Sequence, residues 1–125
     1  MTAIYDAGAL LALERHDREL WSLFKATKRR ERPPATHGGV VGQVWRGGAR
    51  QARLAVALKS TLVVALDDAM GRRAGELLAA SGTADVIDAG VALLASDGDA
   101  IYTSDPDALA HLVATLGRDV EIILV

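Results

Sequence analysis

Short apolar, β-prone runs at Thr2–Tyr5, Thr61–Leu66, Ala100–Thr103 and Val120–Val125 alternate with longer segments whose apolar positions recur every three to four residues. Ala35–His37, just after the break at Pro33-Pro34, is a weaker candidate for a further strand. Helical periodicity covers Ala7–Glu14, then Asp17–Arg29, where Asp17 caps and Leu20, Leu23, Phe24 and Thr27 form an apolar stripe. Val40–Arg46 reads as a helix despite its β-branched content, and Arg50–Lys59 as a second one beyond Gly47-Gly48. Met70–Ala80 follows a cap at Asp67 and stops at Ser81-Gly82. Asp85–Ala95 is apolar on nearly all sides and is expected to be buried. After a turn at Ser96–Asp99, Asp105 and Pro106 open a last helix over Asp107–Leu116, ended by Gly117. Strands alternating with helices call for right-handed crossovers. The expected fold is α/β: three layers, with a mostly parallel sheet of about five strands inside a single domain spanning residues 1–125.

Composition narrows the chemistry. A chain of 125 residues buries a real core. It has no cysteine, which excludes disulfides, thiolate metal sites and cysteine nucleophiles. No apolar run approaches the ~20 residues that span a bilayer. The start, Met1-Thr2-Ala3-Ile4-Tyr5-Asp6, lacks the basic and long apolar regions of a signal peptide, so a soluble cytoplasmic protein is the expectation. Charge is unevenly placed: residues 1–60 carry eleven Lys and Arg against five Asp and Glu, and residues 61–125 carry three against eleven. That asymmetry fits a polyanion-gripping face opposite a cation-binding one, and it fits ordinary solvated helix faces equally well. The run Lys28-Arg29-Arg30-Glu31-Arg32 divides the same way, between cations that suit a helix C-terminus and a phosphate-contacting patch.

Carboxylates supply the sharper signal. Asp6 and Asp105 each follow a strand and precede a helix, the position where ligand sites form in open α/β sheets. For one such aspartate, capping is the simpler explanation. Two at equivalent places, with Asp85 and Asp88 one helical turn apart between them, favour a shared site. Like charges in apolar surroundings are costly without a compensating cation. A hard divalent ion held by oxygen ligands resolves the cost and can activate water for phosphodiester displacement.

Other chemistry lacks support. Gly38-Gly39 and Gly47-Gly48 do not have phosphate-loop spacing. His16, His37 and His111 show no zinc spacing and read as surface or loop residues. Ser81 and Ser104 have no histidine nearby in sequence for a hydrolase triad, and Trp21 and Trp45 read as core or interface. Asp97, Asp99, Asp107 and Asp119 read as turn and first-turn residues.

Four segments together resemble a known family. They are the strand leading to Asp6-Ala-Gly-Ala-Leu-Leu-Ala-Leu, the segment Val-Gly-Gln43-Val-Trp-Arg-Gly-Gly, Ser-Gly-Thr-Ala-Asp85-Val-Ile-Asp88-Ala, and Tyr-Thr-Ser-Asp105-Pro-Asp-Ala-Leu. In this order, across essentially the whole chain, they are similar to PIN domains, and more narrowly to the VapC-type toxin ribonucleases of bacterial toxin–antitoxin pairs. The resemblance implies a homodimeric Mg²⁺- or Mn²⁺-dependent endoribonuclease, whose acids hold metal and orient water. It also implies a small antitoxin protein that inhibits by wrapping the groove. Asp6 matches the first family acid, Asp85 the third and Asp105 the fourth. Asp88 resembles an additional acid of this branch, and both Asp85 and Asp88 are kept as ligands. Gln43 and Ser104 are possible auxiliaries, and Arg46, Arg50 and Arg53 are candidate RNA contacts. The family's second acid, a glutamate, falls on Gln43, whose amide oxygen is neutral. That departure leaves open a catalytically silent domain that binds antitoxin or RNA without cleaving. A phosphoryl-acceptor domain of receiver type would need a lysine after a late strand, and none follows Lys59.

Overall fold

The computed structural model describes residues 1–29 and 32–125. Five strands make one sheet: β1 (Ala3–Tyr5), β2 (Ala35–His37), β3 (Leu62–Val64), β4 (Ala100–Thr103) and β5 (Glu121–Leu124). Every neighbouring pair is parallel, and the order is β3-β2-β1-β4-β5. Seven α-helices are described: α1 (Ala7–Glu14), α2 (Arg18–Arg29), α3 (Gly38–Val44), α4 (Ala52–Lys59), α5 (Asp68–Ser81), α6 (Val86–Leu94) and α7 (Pro106–Leu116). α1 packs with α2, α3 and α4, whereas α5, α6 and α7 pack with one another. The two groups cover opposite faces of the sheet, giving three layers. Among the described residues, no single helix is long and apolar enough to cross a membrane.

This layering follows from the direction of winding. The chain steps outward from β1 to β3, then returns to lay β4 on the far side of β1. Right-handed crossovers put the helices of those two excursions on opposite faces. The reversal makes the carboxyl ends of β1 and β4 the topological switch point of the sheet, where ligand sites form in open α/β folds.

Several elements differ from their sequence patterns for local reasons. The run Thr61–Leu66 forms only the three residues of β3. It lies at the sheet edge, where Leu62 and Val63 are 56% and 43% exposed. The weakly patterned Ala35–His37 is the buried internal strand instead, pinned where the Thr36 hydroxyl donates to the Tyr5 carbonyl at 2.8 Å. Helix α3 starts at Gly38 and stops at Val44, because Trp45 turns into extended backbone. Arg50 belongs to a 3₁₀ turn over Ala49–Gln51 that precedes α4. In α2, Leu20 and Phe24 are buried and Leu23 is exposed. Trp21 lies on the other flank of the buried stripe, edge-on to Phe24 with ring centroids 5.2 Å apart, its indole N–H donating to the Leu13 carbonyl at 2.9 Å. Ala89, Gly90, Val91 and Ala92 of α6 are buried, but Val86 at its start faces solvent.

His37 is a clear correction, since it is fully buried at the end of β2. Its Nδ1 accepts from the Gly39 amide at 3.0 Å, so the proton sits on Nε2, which donates to the Ile87 carbonyl of α6 at 2.9 Å. Burial holds the imidazole below its ordinary pKa, and the ring is neutral. The ring fits because Gly90 has no side chain: a Cβ there would lie 2.6 Å from Nε2. We expect Gly90→Ala to destabilise by about 1–2 kcal/mol in denaturant titrations. Overpacking a rigid interior outweighs the ~1 kcal/mol helical gain of alanine over glycine. In α5, Gly71→Ala and Gly75→Ala meet nothing within 4 Å and should stabilise by roughly 0.5–1 kcal/mol.

Candidate metal centre at the switch point

Asp6, 6% exposed, ends β1 and caps α1, with one carboxylate oxygen accepting from the Ala9 amide at 3.0 Å. Its other oxygen accepts from the Thr103 hydroxyl at the end of β4. Thr103 in turn accepts from the Asp105 amide at 2.9 Å, so one buried hydroxyl links the two strand-end aspartates. The β1–β4 pairing, Tyr5 opposite Tyr102, brings them alongside. Thr103 was absent from the sequence candidates; its signal was its place as the last strand residue before Ser104-Asp105.

Asp85 caps α6 through the Ile87 and Asp88 amides, each at 3.0 Å, and Asp105 caps α7 at 3.4 Å from the Ala108 amide. Capping, the simpler sequence reading of these aspartates, therefore holds for Asp6, Asp85 and Asp105. It uses one oxygen of each group, and the second oxygen of Asp6 is taken by the Thr103 hydroxyl.

Asp88 is the informative member. Its carboxyl is pushed up to about 6, first by burial and then by the negative charges of Asp85, Asp6 and Asp105. The fold therefore brings Asp85, Asp6 and Asp105 close enough to act on Asp88, although the four acids lie on three different elements. Ser104 is exposed beside them and packs on Gly8 in the first turn of α1, where a Cβ would lie 2.6 Å from the serine Cβ. Gly8 therefore fixes how closely α1 meets the loop after β4.

Among the described residues, no group of three or more acidic or histidine side chains is placed to hold a metal ion. Mg²⁺ requires less than that, since it is held through one or two carboxylates with several waters retained. The donor set fits such an ion: hard oxygens, and in Asp88 a carboxyl whose ionisation is discouraged first by burial and then by its acidic neighbours, a cost that a cation would offset.

Gln43 lies exposed on the last turn of α3, and its side chain makes no hydrogen bond among the described residues. A different glutamine, Gln51, does structural work. It is 7% exposed, accepts from the Arg46 and Gly47 amides and donates to Glu14 and the Val44 carbonyl. Arg46 and Arg50 line a groove of about 410 Å³ with Glu14, Arg15 and Gly47, and Arg53 lines a neighbouring one with His16, Trp21 and Lys25. Residues 30 and 31 of the basic run at 28–32 lie outside the described residues; Arg32 is exposed.

Fold and site together define a doubly wound α/β domain with an acidic cluster at its switch point. Compared with known proteins, the chain matches no family model and no curated protein.

Proposed function

We propose that this chain is a Mg²⁺- or Mn²⁺-dependent endoribonuclease of the PIN-domain kind, the toxin of a toxin–antitoxin pair. The observation that carries the reading is the placement of Asp88, whose carboxyl is pushed up to about 6 first by burial and then by the charges of Asp85, Asp6 and Asp105. Asp6, Asp88 and Asp105, with Asp85 at the rim, would hold the cation. Bound there, it supplies Lewis-acid stabilisation of a phosphoryl oxygen and a more acidic water. The Thr103 hydroxyl keeps Asp6 oriented, and a carboxylate not engaged in holding the ion accepts the proton of the attacking water.

RNA fits the basic half of the chain. Helix α1 leads from Asp6 to the arginine-lined groove beside Glu14, eight residues or roughly 12 Å away. A nucleic-acid strand covers that span in about three to four steps of ~3.4 Å. Arg46, Arg50 and Arg53, all at that end of α1, would grip phosphates on one side of the cleaved bond.

Incubation of the purified protein with a structured RNA and Mn²⁺ or Mg²⁺ is the direct test. Metal-dependent cleavage that EDTA stops supports the reading. Gln43→Glu adds a charge on the family's second acidic position and should tighten Mn²⁺ binding about tenfold, as one extra carboxylate in a half-wet site can supply. A parent that cleaves nothing at any metal concentration, with cleavage gained on Gln43→Glu, would instead identify a silent domain that binds RNA or an antitoxin peptide.

A further inference from the structure

We infer that His37 is a positioning residue: its imidazole ties the first turn of α6 to the end of β2 and so sets where Asp85 and Asp88 stand relative to Asp6. The inference rests on the metal-centre reading given above. It adds a residue that touches neither the ion nor the substrate.

The geometry is specific. Ile87, whose carbonyl accepts from Nε2, lies between Asp85 and Asp88 in sequence. The opposite ring nitrogen accepts from the amide of Gly39, at the start of α3, the helix that carries Gln43. One fully buried ring therefore joins the starts of two helices that bear candidate ligands, on opposite faces of the sheet. Two missing side chains make room for it. A Cβ at Gly90 would stand 2.6 Å from Nε2, and one at Gly39 would stand 2.9 Å from Cε1. Such a fit constrains rotation as well as distance. Asp6 needs no such help, because Thr103 and the first turn of α1 already fix it. Asp85 and Asp88 lie on a helix reached through the exposed stretch Gly82-Thr83-Ala84. The His37 link is their buried side-chain tie to the sheet.

The two hydrogen bonds can be separated by substitution. Asparagine retains an acceptor near the Nδ1 position and loses the reach to Ile87, whereas glutamine places an N–H donor near the Nε2 position. Mn²⁺ affinity is measured by calorimetry on the parent, His37→Asn and His37→Gln. Amide hydrogen exchange is followed at Val91, the residue whose N–H faces the Ile87 carbonyl along α6. We expect His37→Asn to bind Mn²⁺ about tenfold more weakly and to exchange about tenfold faster at Val91. His37→Gln should stay within about twofold of the parent in both.

A residue that merely filled space would lower the melting temperature of both variants and leave Mn²⁺ affinity unchanged. Equal affinity in parent and His37→Asn overturns the inference, as does a His37→Gln no better than His37→Asn, and either outcome leaves the nuclease reading intact. A parent that binds no Mn²⁺ overturns the nuclease reading and this inference with it. Should His37→Asn not fold, His37→Leu takes its place, since it fills the same space with neither hydrogen bond: parental Mn²⁺ affinity in His37→Leu overturns the link, and affinity lost there but kept in His37→Gln supports it.

Discussion

Asp6→Asn is expected to lower metal-dependent RNA cleavage by about 10²–10³-fold, the scale on which one well-placed charge-stabilising group acts in a reaction site. The fold should survive. Asparagine caps a helix as well as aspartate does, so the contact with the Ala9 amide persists. The Thr103 hydroxyl can turn to accept from the new amide while it still receives the Asp105 N–H. A stability loss of about 1 kcal/mol is the expected cost of one altered buried hydrogen bond. Initial rates on a labelled RNA, with circular dichroism on the same samples, separate the two effects. A folded Asp6→Asn variant that cleaves within about twofold of the parent removes Asp6 from the reaction and the metal-centre assignment with it.

Asp88→Asn moves in the opposite direction on stability. A carboxyl that titrates near 6 in the folded chain and near 3.8 when unfolded stabilises the fold only while it keeps its proton. That contribution is complete below about pH 4 and is lost as pH rises through about 6. The gap would be worth about 3 kcal/mol at 1.36 kcal/mol per unit, and solvent screening of a part-buried group lowers it to about 1–2 kcal/mol. Without metal at pH 7.5, Asp88→Asn should therefore melt about 3–8 °C above the parent. At pH 4 the two should coincide. His37 works the other way: its lowered pKa costs stability as pH falls below its ordinary 6.5, but it does so in parent and variant alike and cancels in the difference. Saturating Mn²⁺ should stabilise the parent and close the gap at pH 7.5, because ligand that binds only the folded state adds to its stability. Melting curves at the two pH values, with and without Mn²⁺, are sufficient. A variant that melts below the metal-free parent at pH 7.5 would mean that Asp88 is not under the strain its neighbours impose.

Two neighbouring acids separate what they contribute. Asp85, exposed at the α6 cap, is engaged by two amides, so its replacement reads mostly as lost helix capping. Asp88 makes no comparable bond among the described residues and faces the charges of the other three. Of the two, Asp88 is therefore the stronger candidate to coordinate an ion directly.

The sequence by itself determined what local physics controls: the alternation of strand and helix, hence the parallel sheet, and the caps at Asp6, Asp67 and Asp105, each set by contacts within a few residues. It also indicated that the strand-end aspartates share a rim, because parallel crossovers send every strand's carboxyl end to the same side. Tertiary structure alone decided which strands are neighbours, and therefore that β1 and β4 flank the switch point. It also decided that three-residue Ala35–His37 is interior while the longer apolar run at Thr61–Leu66 is edge, since burial depends on what lies alongside a strand as well as on its own composition. Thr103 and His37 belong to the same class. Each acts through a hydrogen bond to a residue tens of positions away, Thr103 to Asp6 and His37 to Ile87, and no periodicity along the chain encodes such a partner.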